Sequence, residues 1–413
     1  MIKKIVLVII LCLSAATYGQ NGTASPYSFG GLGIVNYRGT VEYKSMGGMS
    51  VFSDSLHLNL QNPATYANLR YTTYTVGGRQ NRATQKTDTE TAETTVTTLD
   101  YLAIGIPMGK FGAAFGLYPY SSVGYQLDNE TEEEITNFSG TGGITKVFLG
   151  LGYEIMPGLN LGVEAQYNFG NIRNQGLFVQ TDIEFGTQEV NRSDISGLNY
   201  NFGLYYKTKI TENLELTSTI TYIPETKLTV SNFREIATVI VTDGGGIGGA
   251  EIQEIIVEDS KLDYPSQFSI GAGIGKPNAW FVGVEYISQK TGNLTNRSLD
   301  LDNITYIDAT KVKLGGFYTP KFNSLTSYWN RITYRAGVRF EETGLQVSGE
   351  DINEFGISFG LGLPVGRKIS NINLGFEVGK RGTTDLGLVQ ENFFNVFVSL
   401  SLNDKWFIKR KYD

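Results

Sequence analysis

The 413-residue sequence is poor in cysteine, histidine and proline, with one, one and 10 residues respectively. The cysteine, Cys12, lies in the N-terminal apolar stretch, so the chain after it has no thiol for a disulfide. A secreted eukaryotic protein of this size normally carries disulfides, so export in a Gram-negative bacterium is the predicted route. The histidine, His57, lies between two leucines and is predicted to pack in the interior, which leaves no Ser-His-Asp triad and no multi-histidine metal site. We expect no cofactor and no metal.

Long hydrophobic runs are also missing. After Leu13 no run reaches the roughly 18 apolar residues that a transmembrane helix requires, which excludes a helical membrane protein. The formal net charge of −7 disfavours nucleic acid as a partner. The chain does contain 50 Gly, 24 Tyr and 23 Phe, and this composition leaves a soluble β protein or a membrane β-barrel as the two possible classes.

Residues 1–19 have the pattern of a signal peptide. Two lysines precede an apolar run from Ile5 to Leu13, and small residues continue to Gly19. A lipoprotein interpretation would use Cys12, but it needs a small residue immediately before the cysteine, where the chain has Leu11. Export by a signal peptide is therefore predicted.

A period of two along the chain predicts β-strands. In NFFNVFVSLSLN (392–403), apolar residues from Phe394 to Leu402 alternate with asparagine and serine. We identify fourteen such segments, each long enough to cross an apolar band of roughly 25 Å. Their polar faces carry Gly, Ser and Asn, whereas a soluble β protein would present many charges to water. The pattern predicts an all-β fold, a 14-stranded antiparallel transmembrane β-barrel whose lumen is wet and has space for a plug.

The connections between these segments alternate in length. Short turns, such as those at 107–112 and 156–160, interleave with longer polar stretches around 84–97, 126–142, 170–196, 225–264, 289–309, 341–353 and 381–391. Short periplasmic turns and long external loops are typical of bacterial outer-membrane barrels. An even number of strands places both chain ends on the periplasmic side, and the predicted location is the outer membrane.

Residues 20–70 lack the alternation and precede the first strand. They are predicted to form an N-terminal hatch, or plug, followed by a barrel at 71–407 and a periplasmic tail at 408–413. Along it come Phe29 and Gly33, then Met46, Gly47 and Gly48, then Asn62, Pro63 and Ala64. With these residues the stretch resembles the hatch of the FadL family, outer-membrane transporters of long-chain fatty acids and other hydrophobic compounds. An ordinary surface turn at the Asn-Pro-Ala sequence is the alternative.

The third predicted strand contains a proline, Pro119, where a closed barrel would need an unbroken ladder. In the FadL family the third strand kinks inward and opens a gap through which ligand leaves sideways into the membrane. The resemblance therefore implies a lateral gate at Tyr118, Pro119 and Tyr120. A simple β-bulge without a passage is the alternative.

Charged residues occur on several predicted inward faces. Because unpaired charge in a lumen is costly, we expect the carboxylates to pair with the cations and to hold the lumen and hatch together. Arg335 and Arg339 could also bind the carboxylate of an amphipathic ligand, whereas paired carboxylates for glycosidase-like catalysis are the alternative. The residues are Glu154, Glu164, Glu285 and Glu377, with Lys311, Lys313, Arg335 and Arg339.

The resemblance implies a non-enzymatic channel for passive uptake of fatty-acid-like molecules, with lateral release at the third strand. The expected partners are outer-membrane lipid and a hydrophobic small-molecule ligand. A second hypothesis is a FadL-like barrel that is a structural or shuttle subunit of an outer-membrane machine, such as type IX secretion, with other outer-membrane proteins as partners. The Ser25–Ser28 leader and the basic terminus that begins at Lys405 resemble the Bacteroidota branch of the family.

Overall fold

The structure, a computed structural model, describes residues 22–36, 39–180, 183–241, 247–294, 303–365 and 370–406. The predicted signal peptide (1–19) and tail (408–413) lie outside these residues. The described chain contains one α-helix, of only four residues, Val41–Lys44, and short 3-10 helices such as Pro26–Phe29 and Pro63–Asn68. None of the described helices is long and apolar enough to cross a membrane.

Fourteen long strands, β1 to β14, form one antiparallel sheet. Three of them, β7, β8 and β10, are interrupted by short irregular stretches. The bounds are β1 Thr72–Lys86, β2 Thr91–Met108, β3 Phe111–Glu130, β4 Glu134–Met156, β5 Leu159–Gln180, β6 Gly186–Thr211, β7 Leu214–Ile223 with Thr226–Val241, β8 Ile247–Ile255 with Ser260–Tyr264 and Gln267–Lys276, β9 Trp280–Gln289, β10 Ile304–Tyr306 with Ala309–Tyr318, β11 Thr333–Val347, β12 Glu350–Val365, β13 Ser370–Arg381 and β14 Gln390–Asp404.

The sheet closes on itself. Strand β14 pairs antiparallel with β1 along its whole length, from Gln390 opposite Lys86 to Asp404 opposite Thr72. Closure removes the free edges that an open sheet would expose to lipid. The predicted 14-stranded antiparallel β-barrel is confirmed.

The two faces of the wall differ as the alternation predicts. On β13, Phe376 and Val378 are exposed on the outer face, whereas Asn373 and Glu377 are buried on the inner face. The same outward apolar belt continues around the barrel through residues such as Leu149 and Phe359. Because this belt can face only hydrocarbon, the barrel spans a membrane, and the fold places it in the outer membrane.

The chain before β1 occupies the interior of the barrel. Val41, Tyr43, Met49 and Val51 are completely buried there. Hydrogen bonds tie this segment to widely separated strands, because Ser50 binds Glu285 on β9 and Tyr66 binds Glu164 on β5. We call residues 22–70 the hatch. The bounds 20–70 given above stay a prediction.

Glycines on the inner wall make room for the hatch. Gly112, Gly152, Gly162 and Gly203, on four consecutive strands, face the hatch segment 62–67. A Cβ atom at Gly112 would lie 1.9 Å from a hatch carbonyl oxygen, and one at Gly162 would lie 2.2 Å from a hatch amide nitrogen. The glycine-rich polar faces of the sequence are therefore the seat of the hatch backbone.

Several predicted external loops are strands. The stretches around 126–142, 170–196 and 225–264 belong largely to β3 to β8, which continue far beyond the membrane belt. Above the membrane both faces of a strand touch water or polar groups, so the apolar alternation disappears and the sequence resembles a loop. The result is a tall extracellular wall on one side of the barrel.

Candidate functional site: a lateral gap and the charged chamber behind it

The hydrogen-bonded ladder between β2 and β3 ends partway along the two strands, and we call this unpaired stretch the gap. Their pairing runs from Met108 and Phe111 to Leu102 and Leu117, and within the described chain it goes no further. Pro119 follows two residues later, and there the register of β3 against β4 shifts. Because proline has no N–H for the ladder, β3 leaves its neighbour at this point.

The predicted gate residues lie at this opening. Tyr118 and Tyr120 are buried on the inner side, and the hatch strand Ile34–Val35 pairs with β3 at Ser122 and Ser121. The hatch therefore takes the inner edge of β3 that β2 would otherwise occupy. The role of Tyr118, Pro119 and Tyr120 as a gate stays a prediction.

A buried lysine, Lys146, contacts three strands behind the gap. The Nζ atom of Lys146, on β4, donates to the hydroxyl of Tyr264 at 2.7 Å and to Gln166 Oε1 at 3.1 Å. It also lies 4.0 Å from the ring centroid of Tyr120 and 4.4 Å from that of Tyr264. This cation between two aromatic rings connects β3, β4 and β8 behind the gap.

A chamber lies behind the gap, between the hatch and the barrel wall. Its volume is about 210 Å³, and its lining includes Thr94 and Tyr118 at the gap. Apolar and aromatic side chains such as Ile223, Ile287 and Phe393 form part of the lining, so the chamber is partly charged and partly apolar. Five basic and five acidic side chains also line it, namely Arg79, Lys311, Lys313, Arg339 and Arg381 with Glu285, Glu341, Glu354, Glu377 and Glu391.

Most of these charges are paired with each other. Arg339 is buried; its Nε donates to Glu377 at 2.8 Å, and a second nitrogen contacts Glu354. Arg381 binds Glu354 at 2.5 Å and Glu391 at 3.3 Å. Each carboxylate therefore has a cation, which offsets the cost of burying it.

Two lysines complete the chamber wall. Lys313 Nζ lies 3.7 Å from Glu285, and this carboxylate also accepts two hydrogen bonds from Ser50 of the hatch at 2.7 Å. Lys311 binds Glu341 at 2.5 Å. The ion pairs thus extend from the wall to the hatch.

A further ion cluster connects the hatch to the two strands before the gap. Lys44 of the hatch binds Asp100 on β2 at 2.5 Å, and Arg79 on β1 lies 3.6 Å from the same carboxylate. All three side chains are largely buried. Buried charge therefore also lies beside the gap, because Asp100 is two residues from the last β2–β3 pair at Leu102.

The eight charged residues predicted from inward faces separate into two groups. Lys311, Lys313, Arg339, Glu285 and Glu377 line the chamber. The other three lie elsewhere: Arg335 donates to Asn373 at 3.2 Å, Glu164 accepts from Tyr66 at 2.6 Å, and Glu154 is partly exposed near the periplasmic end of β4.

The Asn-Pro-Ala sequence begins a 3-10 helix. The Asn62 side chain accepts from the Ala64 amide at 3.0 Å and donates to the Leu204 carbonyl on β6 at 3.2 Å. Asn62 is thus the N-cap and Pro63 is the first helical residue, a position where its missing N–H costs nothing. The cap also attaches the hatch to the wall.

The glycine-rich hatch sequences fit positions of close approach. Gly47 and Gly48 have φ of +67° and +73°, and Gly33 has φ of +82°; a Cβ atom at Gly33 would lie 2.5 Å from the Ser122 carbonyl oxygen. Met46, beside them, is buried. Phe29 packs edge-on against Tyr125 of β3, with ring centroids 6.2 Å apart.

Sequence reasoning missed Lys44, Arg79, Asp100, Glu354, Arg381 and Glu391. Three of them lie where the sequence predicts loops or loop borders, and Lys44 lies in the non-periodic hatch. Extending the inward parity of β12 to β14 by two residues would have found Glu354, Arg381 and Glu391. Within the described chain no group of three His, Cys, Asp or Glu side chains could hold a metal ion.

The comparison that spans the whole chain decides the family. The sequence model of the BamG family matches residues 1–413. The chain belongs to the BamG family. No curated protein matches this BamG-family chain.

Solved structures share the fold of this BamG-family barrel. They include the toluene transporter TbuX of Ralstonia pickettii, with a TM-score of 0.61, 13% identity, and coverage of 89% of this chain and 99% of TbuX. The toluene transporter TodX of Pseudomonas putida has a TM-score of 0.57 and 14% identity, and the match covers 88% of this chain and 96% of TodX. A FadL homologue of Pseudomonas aeruginosa has a TM-score of 0.56 and 12% identity, and the match covers 90% of this chain and 98% of the homologue. At such identities the likeness establishes a FadL-like barrel fold.

Replacing Tyr66 with phenylalanine should loosen the hatch. The hydroxyl donates to the buried Glu164 carboxylate, and loss of such a bond to a charged group costs about 1.5–3 kcal/mol. Urea unfolding in detergent micelles, followed by tryptophan fluorescence, should show a lower midpoint. Tyr222→Phe, on the exposed outer face of β7, is the matched control; an equal shift in both variants would contradict this assignment.

The hatch should also respond to pH through its one histidine. Burial alone would lower the pKa of His57, but Asp54, whose carboxylate lies 2.6 Å from Nδ1, outweighs burial and raises this pKa. Burial would raise the pKa of Asp54, whereas the charge of His57 lowers it. The ion pair of His57 stabilises the folded hatch fully below the unfolded-state pKa of the imidazole, and this stabilisation is lost as pH rises through the raised pKa of His57. The stabilisation that comes from Asp54 is lost as pH falls through the lowered pKa of its carboxyl group.

Protease release of the hatch, measured against pH, checks this prediction. The wild-type hatch should become more susceptible as pH rises through the raised pKa of His57. His57→Gln should abolish this increase in susceptibility, because the described interior contains no other imidazole. An equal increase in the wild type and in the variant would refute the proposed ion pair.

Proposed function

We propose that the protein is a structural subunit of an outer-membrane protein assembly, built on a FadL-like barrel. The observation that carries this proposal is the network of buried ion pairs that joins the hatch to strands β9 to β14 in the chamber behind the gap. Membership in the BamG family covers the whole chain, whereas the transporters share only the fold.

A hydrocarbon that enters this chamber meets charged as well as apolar walls. Passive uptake is driven by moving apolar surface out of water into an apolar site. Here the ligand would have to move past side chains held in buried ion pairs, such as Arg339 with Glu377, and past the cluster of Lys44 and Asp100. Separating such a pair to admit a ligand leaves buried charge without a partner, which is unfavourable.

The ion pairs serve a scaffold better. They bind strands β9 to β14 to one another and to the hatch, so the interior becomes one connected polar network. A closed interior leaves the outer surfaces of the barrel and its tall extracellular wall as the parts available to partners. Other outer-membrane proteins, such as components of a secretion or assembly machine in the Bacteroidota, are the proposed partners.

Uptake of a fatty-acid-like amphipathic molecule is the second candidate, and the continuity of chamber and gap favours it. The chamber lining reaches Thr94 and Tyr118, on the two sides of the opening. A ligand with a carboxylate could bind at Arg339, and lateral release would use the kink at Pro119. In neither candidate does the protein catalyse a reaction.

Purification from native membranes separates the two candidates. The tagged chain, extracted in mild detergent, should migrate on blue native gels with a partner at fixed stoichiometry, and lipid extraction should yield no fatty acid in the lumen. Arg339→Met is the control: it weakens the interior without changing the outer surface, so the folded variant should keep the partner if the partner binds the outer surface. A solitary barrel with a stoichiometric fatty acid would overturn the subunit proposal and support uptake.

A further inference from the structure

A groove runs along the membrane-facing wall of β9 to β13, near the periplasmic ends of the strands. Its volume is about 710 Å³. The floor is formed by Gly316 on β10 and Ala336 on β11, which are register partners. The walls are the larger apolar and aromatic side chains Val282, Tyr318, Tyr334, Phe359, Leu361 and Phe376.

The groove depends on the small size of its floor residues. A Cβ atom at Gly316 would lie 2.2 Å from the Phe281 carbonyl oxygen on β9, so close strand pairing excludes a side chain there. Ala336 is exposed on the outer face. Since the walls belong to the apolar belt, whatever fills the groove lies in hydrocarbon, not in water.

An unusual loop lies at the foot of the groove. Residues 319–332 connect β10 to β11, whereas the other described periplasmic turns span only two or three residues. The loop is ordered, because the Lys321 amide donates to the Asn330 carbonyl at 2.8 Å and the Tyr328 hydroxyl donates to the Pro364 carbonyl at 3.2 Å. It exposes Leu325 fully and Trp329 by 71%.

The loop is cationic. Lys321 and Arg331 each lie three residues from an aromatic wall residue of the groove, Tyr318 and Tyr334, and no acidic residue occurs at 309–340. Arg331 lies over the Tyr328 ring at 5.3 Å, and within the described chain neither cation has a carboxylate within ion-pair distance. Aromatic and basic side chains together are typical of the lipid headgroup region.

We propose that the groove and this loop form a binding site for one anionic glycerophospholipid of the periplasmic leaflet. An acyl chain lies over Gly316 and Ala336, and the phosphate binds Lys321 and Arg331. The charge of the loop identifies the occupant, because the apolar groove matches the acyl chain of such a lipid and the two cations match its negatively charged headgroup. The site is independent of the subunit proposal, since it lies on the outer wall.

Native mass spectrometry of the delipidated full chain, with palmitoyl-oleoyl phosphatidylglycerol added back, tests the site. The wild type should retain one lipid, and Ala336→Leu, which fills the floor, should reduce the singly bound fraction at least about tenfold. The matched control is Ala272→Leu, the same change on the outer wall of β8, which should bind like the wild type.

A second pair of variants tests the headgroup. Lys321→Gln with Arg331→Gln should lose the preference for phosphatidylglycerol over phosphatidylcholine, whereas Lys110→Gln, in the β2–β3 turn, should keep it. An equal loss of bound lipid in Ala336→Leu and Ala272→Leu would show that the groove only makes ordinary contact with the bilayer, and would overturn the proposal. Retention of a polypeptide in place of lipid in the native protein would overturn it as well.

Discussion

Replacing Arg339 with methionine lowers the free energy of unfolding by about 3–5 kcal/mol, because removing one partner of a buried ion cluster leaves uncompensated charge. Arg339 binds Glu354 and Glu377, and all three side chains are buried. The measurement is the urea midpoint in detergent micelles, together with the heat-dependent mobility shift of the folded barrel on gels.

Two controls give this result its meaning. Lys207→Met, in a half-exposed pair with Glu215 at 3.7 Å, should leave the midpoint unchanged. Adding Glu377→Gln to Arg339→Met should recover much of the loss, since Glu377 is the carboxylate left without a cation, whereas Glu354 keeps Arg381. If the double variant is as unstable as the single one, packing and not charge explains the effect.

Replacing Gly162 with alanine displaces the hatch from its position against the inner wall. The new Cβ atom would lie 2.2 Å from the Ala64 amide nitrogen; its position is fixed by the β5 backbone and the nitrogen is part of the hatch backbone, so no side-chain rotation relieves the clash. Overpacking of this kind costs about 1–3 kcal/mol or more. Limited proteolysis of the folded barrel should then cleave within residues 39–70, which the wild type protects.

The matched control is Gly248→Ala, at a site on β8 where a Cβ atom meets nothing nearer than 3.9 Å. This variant should resist proteolysis as the wild type does. Protection of the hatch in Gly162→Ala would mean that its backbone can move away from β5, which contradicts a tightly seated plug.

The sequence predicts the barrel because one physical constraint repeats fourteen times. Each strand faces hydrocarbon on one side and a crowded lumen on the other, so alternation identifies residues such as Phe376 and Glu377 without any contact information. The same parity places Arg339 and Glu285 in the interior. Glu354, Arg381 and Glu391 follow the same parity, and the sequence misses them because the polar stretches at 341–353 and 381–391 resemble loops.

Contacts between the hatch and the wall could not be predicted. Lys44 meets Asp100 across 56 positions of sequence, and no local period connects a hatch residue to a strand. The Asn-Pro-Ala sequence gave a partial signal, since Pro63 is unfit for a ladder, but the cap of Asn62 on Ala64 and its bond to Leu204 require the fold. Pro119 predicted a break in β3, whereas the hatch strand that covers that break carries no sequence signature.

Oleate uptake measures whether the buried ion pairs close the interior of this barrel to hydrophobic molecules. The measurement uses Gram-negative cells that lack their own fatty-acid transporter and express this chain in the outer membrane. We predict radiolabelled oleate uptake equal to that of cells with an empty vector. Saturable uptake above that level, abolished by Pro119→Val, would show instead that the barrel conducts such molecules through the gap.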